Sequence, residues 1–254
     1  MELIDTHCHI DVADFDADRE QIIANCRRLG IQRIVVPAVS ARGWGNLLEV
    51  CRRAPGLLHT FGLHPVFVAE HRAEDIDALA EWIERERPVA IGEIGLDYFV
   101  EDVDRERQQE FFEAQLEVAR AVQLPVLLHV RKAHDEVLKA LKRIPVQGGI
   151  AHAFNGSLQQ AHQYIELGFK LGFGGMLTYE RSSKLRRLAK ELPLDALVLE
   201  TDAPDLTVAA HRGERNSPEY LPDCLQALAD VRDEPPEAMA AATTRNAEQV
   251  LRLD

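Results

Sequence analysis

This 254-residue sequence contains few cysteines, no long apolar runs and no excess of basic residues. The four cysteines, Cys8, Cys26, Cys51 and Cys224, include no CxxC pair, which argues against a zinc ribbon and predicts reduced thiols in a cytoplasmic protein. No apolar run approaches the ~20 residues of a membrane span. The N-terminus has no basic segment followed by an apolar one, so no signal peptide is predicted.

Acidic residues outnumber basic ones. Lys and Arg total 29, Asp and Glu total 42, and the formal net charge at pH 7 is −13. Proteins that coat nucleic acid normally present a basic surface, so this balance argues against extended contact with DNA or RNA but does not exclude a small local anion site. Hydrophobic residues make up 46% and charged residues 28%, which is typical of a folded globular chain.

Short apolar segments alternate with longer amphipathic ones along the chain. Helical spacing covers residues 105–122, 133–144, 158–167 and 182–192, with Ser157 and Gly168 placed to begin and end the third of these. Further helices are predicted after Pro218 and after Pro235. Eight candidate strands begin near Leu3, Arg33, Leu58, Val89, Pro125, Gly149, Lys170 and Ala196.

Strands that alternate with helices predict a parallel sheet and an α/β fold. Eight such units in about 200 residues fit a closed (β/α)₈ TIM barrel. An open doubly wound sheet is the alternative, but no GxGxxG motif follows the first strand. We therefore predict a single domain over residues 1–254, with the helices of residues 218–254 packed on the barrel.

Six of the predicted strands end in side chains that can bind metal. His7 and His9 follow the first strand at positions i and i+2 and so share one face, whereas Cys8 between them points away and is expected to pack in the core. All strand C-termini of a barrel meet at one rim, where active sites are built. The residues gathered there are His7, His9, His64, Glu93, His129, His152 and Asp202.

Four histidines and two carboxylates, with His64 set aside, exceed what one tetrahedral metal needs and predict a two-metal site. Glu93 stands in an otherwise apolar strand, where a carboxylate needs a cation, and is the expected bridge between the two ions. Asp202 is expected to bind metal and to accept a proton from the attacking water. Mixed nitrogen and oxygen ligands favour Zn²⁺ or Mn²⁺, with Mg²⁺ possible at a weaker position.

The sequence resembles the TatD family of metal-dependent hydrolases, within the amidohydrolase-like barrels, over nearly its whole length. The matching fragments are IDTHCH at 4–9, GLHP at 62–65, GEIGLDY at 92–98, LHVR at 128–131, HAFNGS at 152–157, ETDAP at 200–204 and RGERNSP at 212–218. The contexts RRLGIQRIVVPAV and GEIGLDYF are most similar to the YjjV-like branch. Residues 153–156 and the segment 205–210 depart from the usual pattern of the family on the side that faces the substrate.

The resemblance implies metal ligands at His7, His9, Glu93, His129, His152 and Asp202, the same set that the strand ends gather. It also implies contacts to a substrate phosphate near His64 and Arg131. The Arg131 side chain could equally pair with a carboxylate, although its planar guanidinium matches phosphate oxygens well. The implied activity is hydrolysis of phosphodiesters by a deoxyribonuclease, often acting from a 3′ end.

Three functions remain open from the sequence. The first is a two-metal phosphodiesterase that acts, as a monomer, on a few nucleotides of single-stranded DNA at the rim. The second is an amidohydrolase-like enzyme that cleaves a small ester, amide or phosphoester. The third is a barrel with structural metals that binds a partner without catalysis.

Asp97, in the GEIGLDY fragment, either orients a metal-ligating group or caps the loop that follows it. His71, His134 and His162 are expected on the surface.

Overall fold

Eight parallel strands alternate with helices along the chain, and the computed structural model describes residues 1–253. The strands are β1 (Leu3–Asp5), β2 (Ile31–Pro37), β3 (Leu57–Thr60), β4 (Ile91–Asp97), β5 (Val126–Arg131), β6 (Gly149–Ala151), β7 (Phe169–Phe173) and β8 (Leu197–Leu199). Each begins within two residues of its predicted start, because apolar segments of this length are buried on both faces of a parallel sheet.

Nine α-helices lie within the described residues. They are α1 (Arg19–Arg28), α2 (Trp44–Arg53), α3 (Glu74–Glu86), α4 (Arg105–Val122), α5 (His134–Arg143), α6 (Leu158–Glu166), α7 (Ser183–Glu191), α8 (Leu221–Arg232) and α9 (Pro236–Leu251). The four helices predicted from helical spacing agree with α4 to α7 within one residue at each end. Ser157 caps α6 as predicted, since its side chain accepts a hydrogen bond from the Gln160 backbone N–H at 3.1 Å.

The barrel consists of two parallel ladders, one of β1, β2 and β3 and one of β4 to β8, which meet at two seams. At the first seam, between β3 and β4, Gly92 donates its backbone N–H to the Phe61 carbonyl at 2.9 Å. At the second, between β8 and β1, Thr6 donates its backbone N–H to the Leu199 carbonyl at 3.0 Å. The buried Asp5 carboxylate adds hydrogen bonds from the Thr201 N–H and hydroxyl, at 3.0 and 2.5 Å. These contacts close the eight strands into the predicted TIM barrel.

Helix α9 covers the end of the barrel that lies opposite the strand C-termini. Its residues Val250 and Leu251 belong to one buried apolar cluster with inward-facing residues of the strands. Those strand residues are Ile4, Val35, Leu127, Ile150 and Val198. Because apolar side chains fill the barrel interior, it is a packed core with its working surface at the other end. None of the helices within residues 1–253 is long and apolar enough to span a membrane.

Candidate metal centre

The structure brings the predicted metal-binding side chains together at the C-terminal rim of the barrel. His7 and His9 follow β1, His64 follows β3, His152 follows β6 and Asp202 follows β8. Glu93 and His129 stand inside β4 and β5, and Arg131 is the last residue of β5. The buried Cys8 points into the apolar core, as strand alternation predicts. Six of the eight strands therefore contribute side chains to one centre, whose outer edge includes Arg131.

Glu93 lies at the middle of this centre and is 2% exposed. Its carboxylate is surrounded by five imidazoles whose ring nitrogens lie 3.0–3.5 Å from its oxygens. His7 and His9 approach Oε2, and His64, His129 and His152 approach Oε1. Each oxygen of one carboxylate thus faces a separate set of nitrogen donors.

Asp202 completes the set on the Oε2 side. Its Oδ1 atom lies 3.7 Å from His7 Nε2 and 3.8 Å from His9 Nε2. The backbone fixes this position, because Asp202 donates its N–H to the His7 carbonyl at 2.8 Å and adopts a left-handed φ of 57°. The donor atoms form three groups, and within each group all the atoms lie within 4.8 Å of one another. They are His7, Glu93 and His152; His7, His9 and Asp202; and His64, Glu93 and His129.

Hydrogen bonds on the far side of each imidazole determine which nitrogen is available. The Nδ1 atom of His9 donates to the Pro37 carbonyl at 3.2 Å, which leaves Nε2 as the donor atom toward the centre. The opposite arrangement holds at His64, whose Nδ1 accepts a hydrogen bond from the Val66 N–H at 3.2 Å. Neutral His64 therefore carries its proton on Nε2, and it presents an N–H to the centre.

Asp97 performs both of the roles that its sequence position allowed. Its Oδ2 atom lies 2.9 Å from His129 Nε2 and orients that ring so that Nδ1 faces Glu93. Its Oδ1 atom accepts backbone hydrogen bonds from Phe99 and Val100, at 2.9 and 3.1 Å, which caps the loop after β4. The same carboxylate thus fixes a ring in the centre and the loop beside it.

Burial and mutual repulsion keep two of the histidines neutral. Burial lowers the pKa of His7 to about 3, and the nearby His152 ring, stacked with a centroid distance of 3.8 Å, acts in the same direction. Burial also lowers the pKa of His64 to about 4, against the attraction of Glu93. A neutral imidazole is the form that binds metal or donates a single N–H.

The pKa shifts of Glu93 and His152 favour their charged forms, whereas that of Asp202 favours its neutral form. Burial opposes ionisation of Glu93, but the surrounding imidazoles hold its pKa well below the ordinary value. Burial likewise opposes a charge on His152, yet Glu93 and Asp202 raise its pKa well above the ordinary value. Burial raises the pKa of Asp202 to about 6, although His152 and His9 act against it. Glu93 and His152 thus stabilise each other's charged forms.

This donor set fits divalent cations. The imidazole of His7 is fully buried, and neither of its ring nitrogens makes a hydrogen bond within residues 1–253. An orphaned buried nitrogen is costly in a folded protein unless a ligand satisfies it. Converging imidazoles and carboxylates are the ligands that Zn²⁺ and Mn²⁺ prefer. Negative Glu93 and Asp202 would also balance the charge of the ions.

Glu200 belongs to the centre and was not among the predicted site residues. It is 1% exposed, and its Oε1 atom accepts the Ala153 N–H at 2.5 Å and lies 3.7 Å from His152 Nδ1. Gly172 makes room for it, since a Cβ there would come within 2.0 Å of Glu200 Oε2. The available signal resembled that at Glu93: a carboxylate beside an apolar run, here directly after β8 rather than within the strand.

Two histidines expected on the surface are buried instead. His71 is 2% exposed and its Nε2 bonds to the His64 carbonyl at 2.9 Å, which supports the backbone of that rim residue. His134 is 8% exposed and lies between Tyr164 and Asn155, 3.3 and 3.2 Å from their side-chain oxygens. A histidine on the inner face of a helix or loop is buried when local hydrogen bonds satisfy its ring. His162 is exposed, as predicted.

An eight-stranded parallel barrel with this cluster of imidazoles and carboxylates at its C-terminal rim defines a metal-dependent hydrolase. The chain belongs to the TatD family: the sequence model for TatD related DNase matches residues 4–252. This agrees with the fragments noted in the sequence.

Relatives and solved structures agree along almost the entire chain. The chain is 40% identical over 247 residues to "Uncharacterized metal-dependent hydrolase YjjV" of Escherichia coli K12, covering 96% of this chain and 95% of that one. It is 33% identical over 259 residues to "3'-5' ssDNA/RNA exonuclease TatD" of Pantoea sp. At-9b, covering 99% and 100%. The crystal structure of E. coli YjjV superposes with a TM-score of 0.95 at 38% identity, covering 99% and 98%. The predicted family, branch and fold are therefore confirmed.

Proposed function

We propose that this chain is a two-metal phosphodiesterase that removes nucleotides from the 3′ end of short single-stranded DNA. The ligands of the two ions are His7, His9, Glu93, His129, His152 and Asp202. His64 and Arg131 contact the substrate phosphate, and Glu93 and Asp202 are the catalytic carboxylates. The enzyme acts as a monomer in the cytoplasm.

The observation that carries this proposal is the position of Glu93. One oxygen faces His7 and His9, and the other faces His129 and His152, each at 3.0–3.5 Å. A carboxylate with separate nitrogen donors at each oxygen is suited to bridge two cations. A single tetrahedral ion would leave part of this donor set unused.

The residues of the centre have different roles in the proposed reaction. When bound, the divalent ions lower the pKa of a water molecule and stabilise charge on the phosphoryl oxygens. Asp202, with a pKa raised to about 6 by burial, is placed to accept a proton near neutral pH. His64 presents its Nε2–H toward the centre and is placed to donate to a phosphate oxygen. Arg131 adds a guanidinium at the pocket wall.

Nucleic acid is favoured as the substrate for two reasons. A relative that covers nearly the whole chain carries the name of a 3′–5′ exonuclease for single-stranded DNA and RNA. The cavity beside the centre has a volume of about 720 Å³, which accommodates a few nucleotides and not a duplex. The net charge of −13 disfavours extended contact with nucleic acid, so we expect substrate contacts only at the rim. The alternative, a small ester, amide or phosphoester, would require the same ions and a shorter substrate.

Removal of the divalent ions is expected to abolish hydrolysis of a 3′-labelled single-stranded oligonucleotide. The reason is that, in the proposed reaction, Glu93, Asp202 and the imidazoles act on the phosphodiester together with the ions that they would hold. The measurement is turnover by chelator-treated protein before and after addition of Mn²⁺, Zn²⁺ or Mg²⁺, with metal content determined in parallel. Activity that survives chelation, or its absence with every metal, would contradict the proposal.

A panel of p-nitrophenyl phosphodiesters and carboxyl esters separates the two enzymatic candidates. Turnover of the carboxyl esters alone would favour the alternative hydrolase.

Glu200→Gln is expected to weaken metal binding about 10- to 100-fold, as the loss of a partner that orients a ligating histidine does. The substitution removes the negative charge 3.7 Å from His152 Nδ1 while it keeps the size of the side chain. Metal affinity is measured by competition with a chelating dye. Glu191→Gln, an exposed change at the end of α7, is the matched control. Equal affinities in the two variants would show that Glu200 does not orient His152.

A further inference from the structure

The cavity beside the metal centre extends outward to a second wall. It begins at His129, His152 and Asp202 and reaches the first turn of α7 and the loop after β8. Two cations, Arg181 and Lys184, line this outer wall. No step of the proposed hydrolysis uses either of them.

Neither cation is neutralised by a carboxylate within residues 1–253. Lys184 donates from Nζ to the Asn155 carbonyl at 2.6 Å, and no ion pair forms at Arg181 in this part of the chain. On the same helix, Arg187 pairs with Glu191 at 3.6 Å. In a chain of net charge −13, two unneutralised cations in one cavity are available for an anionic ligand.

The position of Lys184 in α7 also favours an anionic ligand in this cavity. It lies in the first turn, which contains no acidic residue. The partial positive charge at the start of a helix disfavours a cation there. A bound anion would compensate both the helix N-terminus and the Lys184 ammonium. Asp205, the acidic residue of the opposite loop, lines the cavity without forming an ion pair with Arg181 or Lys184 in the described chain.

Apolar side chains stand beside these cations. Met176 is 39% exposed and Leu206 is 41% exposed, and both line the cavity. Large apolar residues with this exposure next to a charged wall are suited to a ligand that combines a flat organic group with an anion. A nucleotide has this combination, and a simple ester does not.

We propose that Arg181 and Lys184 bind the phosphate that neighbours the scissile one, with the intervening nucleoside resting against Met176 and Leu206. This inference rests on the proposed function, and it assigns the specificity for polynucleotide ends over single phosphoesters to the outer wall. The residues touch the substrate away from the reacting atoms, so they determine affinity more than the rate of the chemical step.

The test compares two nucleotides that contain no phosphodiester bond and so offer nothing for the proposed reaction to cleave. Binding of thymidine 3′,5′-bisphosphate and of thymidine 5′-monophosphate is measured calorimetrically on the Mn²⁺-treated protein. The wild type is expected to bind the bisphosphate about tenfold more tightly, because a second charged contact is formed. The Arg181→Gln/Lys184→Gln double variant is expected to bind the two probes within about twofold of each other, because that contact is lost.

The matched control is Arg187→Gln/Lys190→Gln, which removes two exposed charges from the same helix outside the cavity lining. It is expected to keep the preference for the bisphosphate. The inference is wrong if the wild type shows no preference or binds neither probe, if the cavity variant keeps the preference, or if the control loses it equally. Binding of these two nucleotides does not depend on turnover, so the chelation assay judges the proposed function separately.

Discussion

Glu93→Gln is expected to reduce hydrolysis of the single-stranded oligonucleotide by about 10³-fold or more, because it removes the carboxylate proposed to hold both ions. Glutamine keeps the shape of the side chain but loses the charge that balances the cations and the second anionic oxygen. We expect metal content to fall from two ions per chain to one or none. Elemental analysis and single-turnover rates measure the two effects.

The control for this substitution is Glu166→Gln, an exposed position at the end of α6. Circular dichroism and thermal melting of both variants test whether the barrel still forms, since the glutamine at position 93 remains buried among five imidazoles. A Glu93→Gln protein that retains two ions and wild-type turnover would remove this residue from the centre of the mechanism.

Asp202→Asn is expected to leave the fold intact and to lower kcat by about 10² to 10⁴, the usual contribution of a group that transfers a proton in the transition state. The backbone N–H that bonds to the His7 carbonyl is unchanged, so the loop after β8 keeps its position. Affinity for the substrate is expected to change less than kcat, because phosphate contacts are assigned to His64 and Arg131. Steady-state kinetics on the oligonucleotide separate the two parameters.

Asp195→Asn provides the comparison at the opposite end of the same strand, where the side chain is exposed. Unchanged turnover in Asp202→Asn would remove Asp202 from the mechanism and favour a barrel that binds a partner without catalysis. A loss of folding in Asp202→Asn, seen as a collapsed melting transition, would instead show that the residue is structural.

The positions of the strands and the gathering of the rim residues could be predicted because both follow from local patterns. Short apolar segments bounded by turns predict buried strands, and closure of the barrel places their ends together. His7 and His9 needed only the alternation of side chains along β1. Glu93 was recognisable because a charge within an apolar strand requires a partner.

Other features depend on contacts between residues far apart in the sequence. The tautomer of His64 is determined by the Val66 N–H, and the orientation of His129 is determined by Asp97 across the strand. The space for Glu200 exists because Gly172 of β7 has no side chain. Neither the seams between the two ladders nor the burial of His71 is encoded in a spacing that a sequence pattern reveals.

The two seams of the barrel lie directly beneath the metal centre. His7 and Asp202 stand on either side of the seam between β1 and β8, and His64 and Glu93 stand on either side of the seam between β3 and β4. Cations shared among these residues would fasten the smaller ladder to the larger one around the circumference. Metal occupancy and the thermal stability of the barrel are then coupled. Protein that carries fewer ions than its sites can hold would unfold at a lower temperature, whatever its amino-acid substitutions.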